Sequence, residues 1–340
     1  MEKIRSYFEH VKDPMEVGMS AEALSQAKTW IEEKTRKTPY GSLVLRKDKI
    51  AAELYGGGFS ADSLFEIGSI RKSFNSALIG IGIELGIIDL NTRAVDVWPD
   101  ITKISGDTAD EAITLHQLAS SISGWMTSEP PAKTFRYNNA AFTVAEKVVA
   151  RLFGLANDEI APEVVKRFKI PLQADSWHVY HFSRELTPED IDNPGSKLAI
   201  DSTLRDLIKW GYLWLKRGVW EGTTLIPGDY VDLATRPVNP NISNAYYGYN
   251  WFVNSKHALW PDAPEDSYGH AGWGNFKPSE KDSRAYLWIC PSLDMVAAIV
   301  ADISAGIAND FSEVPLGITA EWIGRIVHAA KQRLPQTVTK

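Results

Sequence analysis

Ile67, Ile70, Phe74, Leu78, Ile81 and Leu85 recur at helical spacing, and at the head of that run Ser69 and Lys72 stand one turn apart. A stripe of this kind marks a helix packed into a core rather than one lying on a surface. Residues i and i+3 are neighbours on a helix, so the hydroxyl of Ser69 and the amine of Lys72 share one space. They sit near the N-terminus of the helix, where orphan N–H groups and the dipole favour negative charge. Serine is a weak nucleophile at its own pKa, and a lysine taken out of water becomes a neutral amine able to accept the serine proton. A solvated helix start writes the same S-x-x-K letters, so the partners found elsewhere in the chain carry the specificity.

Two segments supply them. Tyr137-Asn138-Asn139 precedes a second helical pattern, and His270-Ala271-Gly272-Trp273 precedes the strand-like run "SRAYLWICPSLDMVAAIVAD". S-x-x-K, Y-x-N and H-x-G in this order resemble the serine β-lactamase and penicillin-binding protein superfamily. The likeness is greatest to its class C-like branch, which includes the family VIII carboxylesterases and related amide hydrolases. It covers most of the chain: "GSLVLRKDKIAAELYGG" resembles the opening hairpin, "ITLHQLASSISGW" the helix and Ser-Gly turn after the first motif, and "DSTLRDLIKWGYLWLKRGVWEGTTLIP" the return into the sheet.

The resemblance implies a serine hydrolase with an acyl-enzyme on Ser69. Lys72 is then the base, neutral or sharing a proton network. Tyr137 is a second acid/base whose phenolate needs an adjacent cation, and Lys72 and Tyr137 form a coupled pair. Asn139 holds Lys72 or the amide of the acyl group. The backbone amides of Ser69 and Trp273 form the oxyanion hole, on an edge strand opened by Gly272 and Gly274. His270, Gly272 and Trp125 are expected at the substrate. Penicillin-binding members carry a lysine where this chain has His270, and histidine is mostly neutral near pH 7. That favours an esterase or amidase for uncharged acyl groups over an efficient β-lactamase or DD-peptidase, and no deacylating glutamate of the class A type can be placed by motif.

The expected activity is therefore a carboxylesterase on short acyl or aryl esters. The alternatives are an amide or peptide hydrolase (a D-amino-acid peptide, an oligomeric amide, weak β-lactamase activity) and a catalytically silent binding protein on the same fold. Trp125, Trp177, Tyr180, Trp260 and Phe276 fall in loops near the motifs and are candidates for an acyl pocket, although a chain with 12 Trp buries many of them as core. His178 and His181 give H-x-x-H without a Cys or acidic ligand set, so neither metal nor cofactor is expected. Gly80-Ile81-Gly82 lies inside a helix and lacks a dinucleotide context, and Gly58-Phe59-Ser60-Ala61-Asp62 lacks the second glycine of a nucleophile elbow.

Strands at both ends of the sequence with helices between them predict an α+β fold. One antiparallel sheet, flanked by N- and C-terminal helices, is built from residues 1–75 and 200–340. Residues 76–199 form an inserted, mainly helical subdomain, with the site in the cleft between the two. Locally, Ser20 caps an amphipathic helix over residues 20–35 with Leu24, Ala27, Trp30 and Ile31 on one face. Lys47-Asp48-Lys49 turns a hairpin between Leu43–Arg46 and Ile50–Tyr55. Thr187-Pro188-Glu189-Asp190 starts a short helix after which Asn193-Pro194-Gly195 breaks the chain. Thr203 to Asp206 is a capping box opening a helix closed by Gly218. Residues 313–333 form a final helix through Ile318, Trp322, Ile323, Ile326 and Val327.

Composition excludes more than it assigns. With 340 residues and 44% hydrophobic content the chain has material for a sizeable core. A net charge of −7 without a basic cluster argues against nucleic acid. Cys290 is the only cysteine, so no intramolecular disulfide forms, and it reads as a small buried hydrophobe. No run approaches the roughly 18 apolar residues of a membrane helix, and "MEKIRSYFEHVKDP" has no signal-like apolar region. A soluble cytoplasmic protein is expected, or a periplasmic or secreted one if a signal peptide has been removed; the oligomeric state is open.

Overall fold

Lys47 and Asp48 both take the left-handed conformation, φ 49° and 64°, and close a two-residue hairpin between Arg46 and Lys49. Turns of that hand match the twist of the strands they join. The computed structural model describes residues 7–127, 129–181, 197–242, 246–302 and 318–331. Its strands in chain order are Tyr40–Arg46 (β1), Lys49–Gly56 (β2), Phe65–Glu66 (β3), His178–His181 (β4), Leu198–Ser202 (β5), Val219–Trp220 (β6), Thr223–Thr224 (β7), Phe252–Val253 (β8), Tyr268–Asn275 (β9), Asp282–Cys290 (β10) and Met295–Asp302 (β11). The helices of twelve residues or more are Ala21–Thr35 (α1), Lys72–Glu84 (α2), Asn139–Leu152 (α3), Leu204–Leu215 (α4) and Ile318–Lys331 (α5).

The main sheet has the order β2-β1-β11-β10-β9-β8, antiparallel throughout. Its last strand lies beside its first, so the two ends of the sequence meet at its centre, and the fold is α+β as expected. Both faces of β11 are covered, which is why "MVAAIVAD" is apolar almost without alternation. Val296, Ala298 and Val300 pack beneath α4, whereas Ala297, Ile299 and Ala301 join the cluster of α1 and α5 through Trp30, Ile31, Trp322 and Ile326. A Cβ on Gly211 of α4 would stand 2.5 Å from a Val296 methyl, so the helix lies as close to the sheet as a glycine permits. Among the described residues a three-stranded sheet, β3-β5-β4, and the β6-β7 hairpin complete the strands.

The helix carrying Lys72 is core on every side: all residues from Lys72 to Gly82 are buried. Phe74 stacks on Trp210 of α4 at 3.8 Å between ring centroids and meets Trp177 and Phe168 edge-on. Burial pushes the Cys290 thiol up to about 12, which leaves it an unreactive hydrophobe. Ser20 caps α1 by accepting from Ala23 N–H.

At the head of α4 only half of the expected capping box forms. Thr203 Oγ1 accepts from Asp206 N–H, but the Asp206 carboxylate turns away to the N–H and hydroxyl of Ser176 and to Lys209. A carboxylate with three donors elsewhere has no reason to reach back to its own cap. The helix start at Thr187–Asp190, the break at Asn193–Gly195 and the ends of the final helix beyond 318–331 lie outside the described residues.

Phe74→Ala should lower stability to urea by about 3–5 kcal/mol, the range for deleting a packed aromatic. A midpoint unchanged within error would show that the Phe74–Trp210 stack does not hold the helix.

Candidate active site

Ser69 lies in one turn of 3₁₀ helix, Gly68–Arg71, that runs directly into α2. Its backbone is pressed against β9. A Cβ on Gly272 would stand 1.9 Å from the Ile67 carbonyl oxygen, one on Gly274 2.2 Å from that of Glu66, and one on Gly68 2.4 Å from the Trp273 nitrogen. Three glycines therefore let two backbones touch where any side chain would part them. β8 pairs only with Tyr268 and Gly269, so the rest of β9 offers its edge to the site.

Lys72 is 2% exposed, and its Nζ donates to Ser69 Oγ at 2.7 Å, Tyr137 Oη at 2.7 Å and Asn139 Oδ1 at 2.8 Å. The three residue types that the sequence spread over 71 positions thus converge on one nitrogen. Tyr137 and Asn139 arrive through a stack of local bonds. Asn138 caps α3 by accepting from Ala141 N–H, and its amide donates to the Trp125 carbonyl. Ser121 Oγ donates to the Arg136 carbonyl and accepts from Asn138 N–H. The Tyr137 ring lies parallel to Phe252 and edge-on to Phe142.

A cavity of about 90 Å³ opens over these groups, lined by Ser69, Tyr137, Asn139, Ala271, Gly272, Trp273 and Arg284. Of the residues named from the sequence, Ser69, Tyr137, Asn139, Gly272 and Trp273 share this wall. Two expected substrate contacts do not. Trp125 is fully buried and its indole donates to the Ile101 carbonyl, so its part in the site is to receive Asn138 through its own backbone oxygen. His270 is also fully buried, behind Tyr137. Residues alternate between faces along a strand, and this one turns to the inside. Its Nδ1 donates to the Ala271 carbonyl, which can only accept, so Nε2 is the bare nitrogen and faces the Tyr247 hydroxyl at 3.4 Å. Burial and the nearby Lys72 pull its pKa down to about 3, and the ring is neutral at working pH.

Trp177, Trp260 and Phe276 are core, and Tyr180 is half-buried on β4. His178 and His181 leave β4 on opposite faces, toward Asp201 and Glu146 respectively. Among the described residues no group of three or more His, Cys, Asp or Glu is placed to hold a metal ion, and no helix is long and apolar enough to cross a membrane.

The sequence reading missed a buried charge cluster beside the site. Arg71 donates to Glu146 Oε2 at 2.8 Å, and Glu146 Oε1 takes His181 Nε2 at 2.8 Å and Leu198 N–H at 2.7 Å. Burial pushes the Glu146 carboxyl up, but Arg71, His181 and the Leu198 N–H outweigh it and hold the group below the usual carboxylate range. The pair ties the nucleophile turn to the helix that bears Asn139. Its signal was present in the sequence: Glu146 lies four residues after Phe142 and three before Val149, on the apolar face of α3. For Arg284 no comparable signal exists, since it enters the cavity only through its pairing with Trp273 across two strands.

The fold is that of a β-lactamase-like scaffold. The sequence model of the Beta-lactamase family matches residues 32–315, and the chain belongs to that family. An uncharacterised protein of Alkalihalophilus pseudofirmus is 23% identical over 238 residues, covering 62% of this chain and 69% of its own. In structure the chain is similar to a candidate beta-lactamase of Bacteroides dorei, with TM-score 0.68, 17% identity and 91% and 99% of the two chains covered. It is also similar to a penicillin-binding protein homologue of Caulobacter crescentus, with TM-score 0.66, 14% identity and 92% and 99% covered. At such identities the likeness speaks for the fold alone.

The unfolded chain protonates a histidine near 6.5 while His270 in the fold waits until about 3. Between those values the unfolded state binds the extra proton, so this group makes stability rise with pH across the window. His270→Phe should weaken the acid sensitivity of urea unfolding between about pH 4 and 6.5. An imidazole signal of His270 titrating near pH 6.5 by NMR would contradict the burial argument.

Proposed function

We propose that this protein is a serine hydrolase forming an acyl-enzyme on Ser69, and that it acts as a carboxylesterase on short acyl or aryl esters. The observation that carries the reading is the position of Lys72 Nζ, 2.7 Å from both the Ser69 and the Tyr137 oxygens. The Lys72–Tyr137 pair, one proton short of its full complement, takes the Ser69 proton as Oγ attacks the carbonyl carbon. Negative charge on the carbonyl oxygen is met by the N–H groups of Ser69 and Trp273, whose backbones the glycine contact holds together. The same proton then passes from Tyr137 to the departing alcohol, and a water deprotonated by the pair releases the acid. Asn139 keeps the amine in register through its carbonyl oxygen.

Two features support an ester with a short acyl group. The cavity, at about 90 Å³, lies well below the several hundred Å³ of pockets for larger ligands. The third motif presents a neutral, buried His270 where a lysine would place a cation. The class C-like branch, with its family VIII esterases, is the part of the family in which this reading fits.

A fluorophosphonate probe should label the peptide containing Ser69, and Ser69→Ala should remove the label. Lys72→Ala should cut hydrolysis of p-nitrophenyl butyrate roughly a thousandfold or more, because groups that act as a unit fail together. Labelling that persists in Ser69→Ala removes the nucleophile. Turnover of nitrocefin without butyrate moves the assignment to amide or lactam hydrolysis, and a wild-type protein that neither labels nor turns over is a binding protein.

A further inference from the structure

Asn139 and Glu146 lie two turns apart on α3, so one face of that helix presents both, roughly 10 Å from each other along its axis. Asn139 receives Lys72 and Glu146 receives Arg71, which are consecutive in the chain. The base of the proposed reaction therefore has a cation and an anion fixed beside it, both buried and neither on the cavity wall. His181 Nε2 and Leu198 N–H close the other oxygen of Glu146, so the carboxylate is held in place from both ends. The two charges are felt beyond their own contact. Burial first, then Lys72 and Arg71, hold His270 down to about 3 behind the Tyr137 ring, and on Lys197 Arg71 and Glu146 act in opposite senses. The other charged or titratable groups around the site are Glu66 on β3, Lys197 ahead of β5, Arg284 on β10 and Tyr247, which burial keeps neutral beside His270. At an effective dielectric constant of about 20, a unit charge roughly 10 Å away moves an ionisation by about one pH unit.

We propose that Arg71 and Glu146 are positioning residues for the base: balanced against each other, they set the pH at which the Lys72–Tyr137 pair sheds the proton that blocks attack by Ser69. This rests on the acyl-enzyme reading above and extends it to two residues that do not meet the substrate. The sign follows from charge alone. The pair acts when it is one proton short, and its fully protonated form is the more positive of the two. Glu146 favours that form and Arg71 disfavours it, so the two together leave the base where neither would leave it alone. An arginine placed directly before the lysine of S-x-x-K thus needs a carboxylate at its far end, and α3 supplies one from the same face that supplies Asn139.

The test follows the rate at which a fluorophosphonate labels Ser69 as pH is varied, which reads the base without a chosen substrate. Glu146→Gln should move the acid limb of that profile down by about one pH unit, and Arg71→Gln should move it up by a similar amount. The double variant Arg71→Gln/Glu146→Gln should bring the limb back to within about half a unit of wild type. A role confined to structure lowers the plateau rate and leaves the limb in place, or moves it the same way in both single variants; either result overturns the assignment. Breaking one side of a buried pair costs stability, so each single variant that folds is read against the double as well as against wild type. If only the double folds, a limb displaced by more than about half a unit overturns the proposal and one at the wild-type position upholds it. Limbs that stay put in protein that still labels leave the acyl-enzyme reading intact, whereas wild-type protein whose Ser69 does not label overturns both.

Discussion

A single ammonium-sized group organises this molecule. Lys72 is 2% exposed, and a buried amine is tolerated only when its hydrogens meet acceptors. Among the described residues Ser69, Tyr137 and Asn139 each supply one, and a lysine has three protons to give. The arrangement is therefore complete as a cation, and Ser69 and Tyr137 are both held by the group with which they must exchange a proton. The rest of the fold can be read as the means of bringing those three acceptors to one point.

Two of the means are unlike in kind. Toward the sheet the site is built from absence: Gly68, Gly272 and Gly274 remove side chains so that the Ser69 turn can lie on the edge of β9. Toward the helices it is built from charge, with Arg71 and Glu146 paired at 2.8 Å and His181 and Leu198 N–H completing the carboxylate. A buried ion pair adds little net stability over apolar residues of the same volume, but breaking one partner costs about 3–5 kcal/mol. Such a pair punishes misplacement more than it rewards folding. It joins Arg71, one residue before Lys72, to the helix that begins at Asn139.

How much of this the sequence disclosed follows from the range of each interaction. Ser69 and Lys72 are three residues apart on one helix, and Tyr137 and Asn139 precede a cap, so local periodicity places them. Gly272 and Gly274 announce close backbone approach wherever they fall. Trp125 and His270 were misplaced because motif position fixes the backbone and not the face a side chain takes. His270 lies on the inward side of its strand, and Trp125 lends the site only its carbonyl. The carboxylate of Asp206 likewise went to Ser176 and Lys209, partners that no local pattern of α4 names.

Arg284 is the extreme of that series, because its place depends on register alone. A shift of one residue between β9 and β10 would put it on the opposite face, and every neighbour along the strand would follow. The register is held by the alternation of β10, where Ala285 and Leu287 pack under α4 while Tyr286 and Trp288 pack under α1 and α5. The apolar residues that fill two separate cores thus determine which cation stands beside Ser69. The side chains at the mouth of this cavity are thus a consequence of packing some distance from it.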